Sequence, residues 1–381
     1  MKKIGLISFT KHNNYGGLLQ GYALFSYLSE KYPEYSFEYI EHIPDNSLRL
    51  KWRLRRCLSV FYYGSKEDRP HLIKEASDII KGGLTQPKRT EEKDFSAFNE
   101  FYGLMNYSRK FSPKELTDCS REYEAYIVGS DQVWNPKLTF FDLFYFLDFV
   151  PNDISKFAYA SSFGLSSFPK VCEKKSEKLL DRFERISCRE RAGVDIVSRL
   201  CGKEAQICLD PVFLLKESEW EKMSLNSKAE RSTDYVLVYA IGGSSALESE
   251  AGKYAEKNGF DIVIFDEGTV NPQIGPMEWL FYLRNARMVF TNSFHGTAFS
   301  IIFEKQFRVE TGGSDYFSGL SSRIDNLLKL LCLEDRTISS PYSTETIDYC
   351  KVKSILNSER KKSEKYLEEV VLSIKGKHDF E

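Results

Sequence analysis

The sequence predicts an α/β protein made of two Rossmann-like halves that face a cleft. Short apolar runs alternate with segments whose apolar residues recur at helical spacing, which is typical of parallel sheets covered by helices. The alternation is interrupted by a polar stretch without strand pattern at 216–233 and then restarts. A chain of 381 residues is also too long for one ordinary core and has the length of two domains.

The first half opens with a buried-strand pattern, KIGLISF at 3–9. The polar turn TKHNNYGG follows, and a helical pattern starts at Leu18. A second strand is predicted at 37–43, whereas residues 45–110 are less regular and are predicted to be mostly helical. The remaining predicted strands lie at 125–131, 156–163, 186–190 and 206–215, with a charged helix at 170–185 and another helix after 190.

The second half repeats this alternation. Its predicted strands lie at 235–242, 261–266, 288–292 and 307–310, with helices at 245–258, 277–287 and 296–304. A short helix is predicted after SSRID (321–325), and an amphipathic helix at 358–374 closes the chain. We therefore divide the chain into an N-terminal domain at 1–215, a linker at 216–233 and a C-terminal domain at 234–381.

Composition narrows the class of protein. Hydrophobic residues make up 42% and charged residues 28%, as in soluble globular proteins. A net charge of −2 argues against a whole-molecule surface for nucleic acid. The N-terminal apolar run is too short for a signal peptide, and the apolar stretch at 140–150 is too short to span a bilayer. Eight scattered cysteines show no metal-ligand spacing, so we expect a cytoplasmic protein with reduced thiols and no metal.

The turn after the first predicted strand is rich in small and amide residues. Asn13, Asn14, Gly16 and Gly17 lie where a strand leads into a helix. Glycine permits close backbone approach, and the N-terminus of a helix offers free N–H groups to a polar ligand. The pattern is neither G-x-G-x-x-G nor a Walker A loop. Ligand contact and a tight turn that needs glycine are both open interpretations.

Three further strand ends carry polar side chains. In VGSDQVWNP, the carboxylate of Asp131 could take a proton from a sugar hydroxyl or cap a helix, and Trp134 could pack against a sugar face. Arg189 in SCRERAGV is suited to a carboxylate or phosphate, or it pairs with a surface carboxylate such as Glu190. Asp210 in CLDPVFLL either caps a turn or holds Arg189 in place.

His295 in TNSFHGTAFS is the strongest single candidate. It lies on a turn between a predicted strand and a predicted helix, and ligands in open α/β sheets bind at the carboxyl ends of strands. An imidazole can both take and give a proton near neutral pH. The surrounding Asn292, Ser293, Gly296 and Thr297 would offer small donors to an anion. Helix capping by Asn or Ser explains part of this pattern, but not the histidine.

A locally basic stretch occupies residues 48–64, LRLKWRLRRCLSVFYYG. On a helix, its apolar residues Leu50, Leu54, Leu58 and Phe61 share one stripe, and Arg49, Arg53 and Arg56 share another. A membrane-surface helix and an ordinary solvated helix both fit this pattern.

Six motifs in this order resemble the polysaccharide pyruvyl transferase family. They are NYGGLLQGYAL, YIVGSDQVWNP, AYASSFG, CRE, LDPVFLL and TNSFHGTAFSI. The resemblance extends over about residues 3–332. It implies two Rossmann-like domains of the glycosyltransferase-B kind. It also implies transfer of a pyruvyl group from phosphoenolpyruvate to a sugar, usually as a cyclic ketal, with release of phosphate and without a further cofactor.

The resemblance also implies roles for individual residues. His295 matches the family's catalytic histidine, Arg189 matches a basic residue of donor binding, and Asp131 is a weaker match to a functional acid. Some relatives carry arginine where this chain has Ser293, so the donor charge must be met elsewhere, and Arg323 at a predicted helix start is our candidate. We expect donor contacts from Arg189, Arg323, Asn292, Ser293, Gly296 and Thr297, and acceptor contacts from Asn14, Gly16, Gly17, Gln20, Ser130 and Trp134.

The expected partners are phosphoenolpyruvate and the sugar of a surface-polysaccharide precursor, carried on a lipid at the inner face of the membrane. Two other functions remain compatible with the sequence. One is a glycosyltransferase that uses a nucleotide sugar, since fold does not determine function. The other is a non-catalytic subunit of polysaccharide assembly.

Overall fold

Two parallel sheets form the framework of the protein. The computed structural model describes residues 1–11, 14–43, 47–48, 50–52, 54, 96–266, 274–311, 318–341 and 345–376. The first sheet consists, within these ranges, of seven strands: β1 (Lys2–Ile7), β2 (Tyr35–His42), β3 (Tyr107–Phe111), β4 (Ala125–Val128), β5 (Ser155–Ser161), β6 (Arg185–Cys188) and β7 (Gln206–Ile207).

The strand order of the first sheet is β3-β2-β1-β4-β5-β6-β7, and all pairs are parallel. This is the doubly wound order, in which the direction of winding reverses between β1 and β4. The strands β1 and β4 pair in the register Leu6 to Ile127, and every residue of β4 and β5 is buried. Ligands of such sheets bind beyond the carboxyl ends of the strands at this reversal.

The second sheet is smaller and also parallel. Its described strands are β8 (Tyr235–Ala240), β9 (Asp261–Asp266), β10 (Met288–Thr291) and β11 (Phe307–Val309), in the order β11-β10-β8-β9. The predicted α/β class with two Rossmann-like halves, the arrangement that defines a glycosyltransferase-B-like fold, is therefore confirmed.

Helices cover both sheets. Those in the described residues are α1 (Tyr15–Lys31), α2 (Ser96–Tyr102), α3 (Pro113–Cys119), α4 (Pro136–Thr139), α5 (Lys170–Leu180), α6 (Arg191–Cys201), α7 (Glu217–Leu225), α8 (Ser245–Asn258), α9 (Pro276–Asn285), α10 (Phe294–Ile302), α11 (Ser318–Leu331) and α12 (Tyr349–Gly376). Short 3-10 helices lie at Ser120–Glu122, Leu143–Phe146, Pro211–Phe213 and Glu334–Arg336.

Several predicted boundaries are wrong for identifiable physical reasons. Helix α1 begins at Tyr15 rather than at Leu18, because the Asn14 side chain caps it by accepting a hydrogen bond from the Gly17 N–H at 2.8 Å. The strand predicted at 206–215 ends at Ile207, since Pro211 has no N–H for a ladder and starts a 3-10 turn. The region predicted to be mostly helical contains strand β3.

The last helix returns to the first sheet. The Tyr366 hydroxyl donates to the Ala158 carbonyl at 2.8 Å, and the Leu209 N–H donates to the Ser363 hydroxyl at 2.9 Å. The polar stretch at 216–233 contains α7, whose Trp220 is fully buried. The chain thus passes from the first sheet to the second and returns to the first with α12. The domain boundary at 216–233 stays a prediction.

One hydrophobic core connects the two sheets. It includes residues of β1 and α1 together with residues of β8, β10 and α10. At its centre the Tyr15 ring stacks on Trp279 with ring centres 5.6 Å apart, and on Phe98 at 5.3 Å. The Tyr15 hydroxyl donates to the Ile274 carbonyl at 2.9 Å. The two halves are therefore packed against each other through aromatic side chains below the cleft.

Most of the basic segment 48–64 lies outside the described residues, including Arg49, Arg53 and Arg56. In its described part, Trp52 is buried, whereas Leu50 is 62% and Leu54 is 56% exposed. Within the ranges that the structure describes, no helix combines the length and the apolar character needed to cross a bilayer.

Replacing Trp279 with alanine tests the shared core. We expect Trp279→Ala to lower the free energy of unfolding by about 3–5 kcal/mol, because a fully buried indole is lost between the sheets. Urea titration followed by far-UV circular dichroism measures this loss. Trp279→Phe is the control. It keeps a ring against Tyr15 and removes a buried indole N–H without a partner, so it should cost much less. A loss below about 1 kcal/mol for Trp279→Ala would contradict the proposed contact.

Candidate active site

Charged side chains from both sheets meet beyond the carboxyl ends of the strands. Asp131 follows β4, Arg189 follows β6, and Asp210 follows β7. His295 lies in the first turn of α10, directly after β10 of the second sheet. Arg323 comes from α11. The chain thus brings together five side chains that the sequence singled out.

A buried ion pair lies at the centre of this cluster. Arg189 Nη1 donates to Asp210 Oδ2 at 2.6 Å, and the Ser130 hydroxyl donates to the same oxygen at 3.1 Å. Asp210 Oδ1 accepts from the Val212 N–H at 3.2 Å. Burial alone would raise the pKa of Asp210, but interactions with His295 and Arg189 hold it well below its usual range. The carboxylate is therefore ionised and fully bonded.

Neighbouring carboxylates also determine the pKa of Arg189. Burial lowers the pKa of its guanidinium, but the Asp210, Asp131 and Glu190 carboxylates outweigh that effect and raise it. Its guanidinium carbon lies 4.5 Å from the centre of the Phe294 ring. The interpretation of Arg189 as a solvated surface pair with Glu190 is wrong, because the side chain is buried and contacts Asp210 and Asp131 instead.

Asp131 links the two arginines. Its Oδ1 lies 3.4 Å from Arg189 Nη2 and 3.9 Å from Arg323 Nη1. Its backbone φ of 74° is uncommon for a residue with a side chain and marks local strain. Its carbonyl accepts from the Val133 N–H at 2.8 Å and the Ser162 N–H at 2.9 Å, which holds this conformation. With 15% of its side chain exposed, Asp131 is the most accessible carboxylate of the cluster.

Arg323 is the least satisfied cation of the site. Only 5% of its side chain is exposed. Among the described residues, Asp131 is its ion-pair partner, and the centre of the Phe294 ring lies 5.8 Å from its guanidinium carbon. Burial, followed by repulsion from Arg189, lowers its pKa to about 10. Arg323 lies within α11 and not at a helix start as predicted, because α11 already begins at Ser318.

The His295 ring stands between the two halves. It is 7% exposed, and its Nε2 lies 3.6 Å from Asp210 Oδ2. The other edge of the ring packs on Gly16 in the first turn of α1, where a Cβ atom would overlap Nδ1 and Cγ. A Cβ on Gly17 would lie 3.4 Å from Asp131 Oδ2. The two glycines thus let α1 approach the imidazole and the carboxylate, as close backbone approach requires.

Several buried polar atoms of this site lack partners in the described part of the chain. They are Arg189 Nε, Glu190 Oε2, His295 Nε2 and Arg323 Nε. A buried polar group without a hydrogen bond is costly, and such groups often mark a ligand or catalytic role. The unpartnered arginine N–H groups are suited to the oxygens of a carboxylate or phosphate.

Other predicted donor contacts have structural roles. The Asn292 side chain joins β8 to β10, accepting from the Ile241 N–H at 2.7 Å and donating to its carbonyl at 3.2 Å. Ser293 caps α10 by accepting from the Gly296 N–H, and the Thr297 hydroxyl donates to the Ser293 carbonyl. Gly296 is required by packing, because a Cβ there would overlap Thr291. A contact of Gly296 with the donor stays a prediction.

Some predicted acceptor contacts are also corrected. Trp134 is fully buried, donates its indole N–H to the Tyr145 carbonyl at 2.8 Å and stacks on Phe146, so neither face of the ring can receive a sugar. Gln20 is buried and donates to the Ser8 hydroxyl at 2.8 Å, and Ser130 donates to Asp210. Asn14, which caps α1, is partly exposed, whereas Gly16 and Gly17 are buried, and their contacts with the acceptor stay predictions.

Two residues of the site were missed by the sequence reasoning. Glu190 is buried, and its Oε1 accepts from the Ser162 hydroxyl at 2.8 Å and the Phe163 N–H at 3.3 Å. The Phe294 ring contacts both arginines. The sequence could have indicated Phe294 as a site residue through its position between Ser293 and His295. In the described ranges, no group of three or more His, Cys, Asp or Glu side chains is arranged to hold a metal ion.

Solved structures with related shapes handle nucleotide sugars and cell-surface polymers, according to their names. UDP-GlcNAc 2-epimerase from Neisseria meningitidis is 10% identical, with a TM-score of 0.44, covering 96% of this chain and 93% of the other. ADP-heptose LPS heptosyltransferase II of E. coli is 10% identical, with a TM-score of 0.36, covering 96% and 100%. The wall teichoic acid polymerase TagF is 10% identical, with a TM-score of 0.48, covering 99% and 89%.

No curated protein has a significantly similar sequence. A family model, in contrast, matches residues 14–311, which include α1, every described strand from β2 to β11 and the site candidates Asp131, Arg189, Asp210 and His295. The described family is the one that the ordered motifs resemble. The chain belongs to the polysaccharide pyruvyl transferase family.

Proposed function

We propose that the protein transfers a pyruvyl group from phosphoenolpyruvate to a sugar of a surface-polysaccharide precursor, as in capsule or exopolysaccharide synthesis. The observation that carries this proposal is the meeting of Arg189, Arg323 and His295 at one point between the sheets, with unpartnered N–H groups on both arginines. Membership of the family supports the reaction type.

The donor has two anionic groups, and the site has two arginines. Arginine binds a carboxylate or a phosphate through paired N–H groups. Arg189 is already held by Asp210, whereas Arg323 has one ion pair at 3.9 Å. Arg323 lies near Phe294, next to the position where some relatives have arginine and this chain has Ser293. Arg323 therefore supplies from α11 the positive charge that the turn after β10 lacks.

The reaction needs a group that gives a proton and a group that takes one. A proton adds to C3 of the donor, and an acceptor hydroxyl oxygen forms a bond to C2 as it loses its proton. The C2–O bond to phosphate then breaks, the phosphate leaves with the electron pair, and a second hydroxyl closes the ketal. One hydroxyl proton balances the proton gained at C3, and the other leaves with the phosphate.

His295 and Asp131 are the residues to which we assign these proton transfers. His295 lies beside the arginines and can cycle a proton near neutral pH. Asp131 is the most accessible carboxylate of the cluster and lies against Gly17 on the side of the first half, where we place the acceptor. Within the cluster, Asp210 and Glu190 are more deeply buried than Asp131 and are less suited to meet a hydroxyl group.

Phosphate release tests this function. We expect the protein to release phosphate from phosphoenolpyruvate when a free or lipid-linked galactoside is present, and His295→Ala and His295→Gln to lower kcat about 10²–10⁴-fold, because neither variant can cycle a proton. His42→Gln is the matched control, since His42 pairs with Asp142 at 3.0 Å outside this cluster and its loss should leave turnover intact. Near-normal turnover in a folded His295 variant would contradict the catalytic role.

Thermal shift separates the competing functions. Stabilisation by nucleotide sugars, with no response to phosphoenolpyruvate, would indicate a glycosyltransferase. A protein that responds to neither and releases no phosphate with any acceptor would be a non-catalytic subunit of polysaccharide assembly. Stabilisation by phosphoenolpyruvate that is lost in Arg323→Gln would support the assigned donor site.

Gly16 provides a second test, because it contacts the ring without any side chain of its own. We expect Gly16→Ala to lower kcat about 10²-fold, since the added Cβ must displace the His295 ring and a shift of about 1 Å has effects of that size. Gly252→Ala is the control, because Gly252 is also helical and a Cβ there meets no atom within 4 Å. Steady-state kinetics and melting temperatures of both variants check this, and a Gly16→Ala enzyme with wild-type kcat would contradict it.

We also propose that the segment 48–64 holds the enzyme at an anionic membrane that carries a lipid-linked acceptor. The exposed Leu50 and Leu54 support this. Replacing Arg53, Arg55 and Arg56 with Glu should weaken binding to anionic vesicles about 10²-fold or more at low salt, since each basic residue contributes about 1 kcal/mol. The control variant replaces the exposed Lys361, Lys362 and Lys365 of α12 with Glu and so reverses the same number of charges. Equal vesicle binding by both variants would leave the solvated-helix interpretation.

A further inference from the structure

We infer that Asp210 is a positioning residue for His295, and that it holds the proton of the neutral imidazole on Nε2. This rests on the proposed function, because it assigns atoms within that reaction. The sequence had suggested only a role for Asp210 beside Arg189. The geometry adds the second contact, to the histidine of the other half.

The two ring nitrogens have different surroundings. Nε2 is enclosed, lies 3.6 Å from Asp210 Oδ2 and has no hydrogen-bond partner among the described residues. A small approach of the ring would let an Nε2–H donate to that carboxylate. Nδ1 lies on the opposite side, against the N-terminal turn of α1 at Gly16. The nitrogen beside the fully buried carboxylate is therefore the one that holds the proton of the neutral ring.

Asp210 is itself held rigidly enough for this role. Its Oδ2 accepts from Arg189 Nη1 and Ser130 Oγ, and its Oδ1 accepts from the Val212 N–H. The side chain has no exposed surface. A carboxylate that is bonded on both oxygens can orient an imidazole and select one of its two neutral forms.

The same carboxylate couples donor binding to proton transfer. Arg189, which we assign to the donor, and His295, which we assign to the proton, both lie against Asp210 Oδ2. A donor oxygen that draws Arg189 away changes the charge that His295 experiences. Loss of Asp210 should therefore change both KM for the donor and kcat, whereas loss of an arginine contact alone should act mainly on KM.

Other charges near the imidazole act in both directions. Arg189 and Arg323 lie beside Phe294, the neighbour of His295, and Asp131 pairs with both of them. Glu190 interacts electrostatically with Arg189 and Arg323. Among the described carboxylates, Asp210 is the one paired with the imidazole at 3.6 Å. A carboxylate beside one ring nitrogen favours the neutral form that carries its proton on that nitrogen, so its removal lets the proton move to the other nitrogen.

The test follows His295 by nitrogen-15 NMR of the full-length protein with labelled histidine, assigned by comparison with His295→Gln. We expect the neutral ring to carry its proton on Nε2. In Asp210→Asn we expect the share of the neutral form protonated on Nε2 to fall, because the carboxylate beside that nitrogen is lost. Asparagine can still accept from the Val212 N–H, which favours folding. Glu190→Gln removes an equally buried carboxylate that lies away from the imidazole and should leave that share unchanged.

Two outcomes would overturn the inference. One is a neutral His295 protonated on Nδ1 in the wild-type protein, a result that decides the question even if Asp210→Asn does not fold. The other is a share of the Nε2-protonated form in folded Asp210→Asn that falls no more than in Glu190→Gln. These readouts do not depend on turnover. A protein that releases no phosphate with any acceptor would refute the proposed function and leave the NMR result to decide this one.

Discussion

The buried carboxylate of Asp210 is the interaction around which the site is organised. Removing one partner of a buried ion pair costs about 3–5 kcal/mol, because the remaining charge stays desolvated. Asp210 avoids that penalty through Arg189, Ser130 and the Val212 N–H of its own half. The His295 ring of the other half then closes over it at 3.6 Å. The ion pair and the packing of the two halves therefore depend on each other.

The aromatic contacts between the sheets hold the site together. Tyr15 lies next to Gly16 in α1, and it stacks on Trp279 while Gly16 packs on His295. The first turn of α1 thus packs in the shared core and also determines how much space the imidazole has. Because Arg323 comes from the second half and Arg189 from the first, the two arginines lie near Asp131 together only when the halves are packed against each other.

Most strands, with β3 and the extent of β7 as exceptions, and the placement of His295 and Arg189 at strand ends could be predicted from the sequence, since they follow from local periodicity and from the geometry of parallel sheets. The burial of Trp134 and the packing reason for Gly296 could not, because Tyr145, Phe146 and Tyr239 are brought there by the fold. The contact of Asp210 with His295 joins distant parts of the chain and leaves no local pattern.

The return of α12 to the first sheet has a consequence for biosynthesis. Tyr366 bonds to the backbone of β5 and Ser363 to the backbone after β7, and Val370, Val371 and Ile374 are buried in the core that both sheets share. Because the N-terminus is synthesised first, all strands of the first sheet leave the ribosome before α12 does. The apolar surface of the first half that α12 covers therefore stays exposed during translation until this helix has been made.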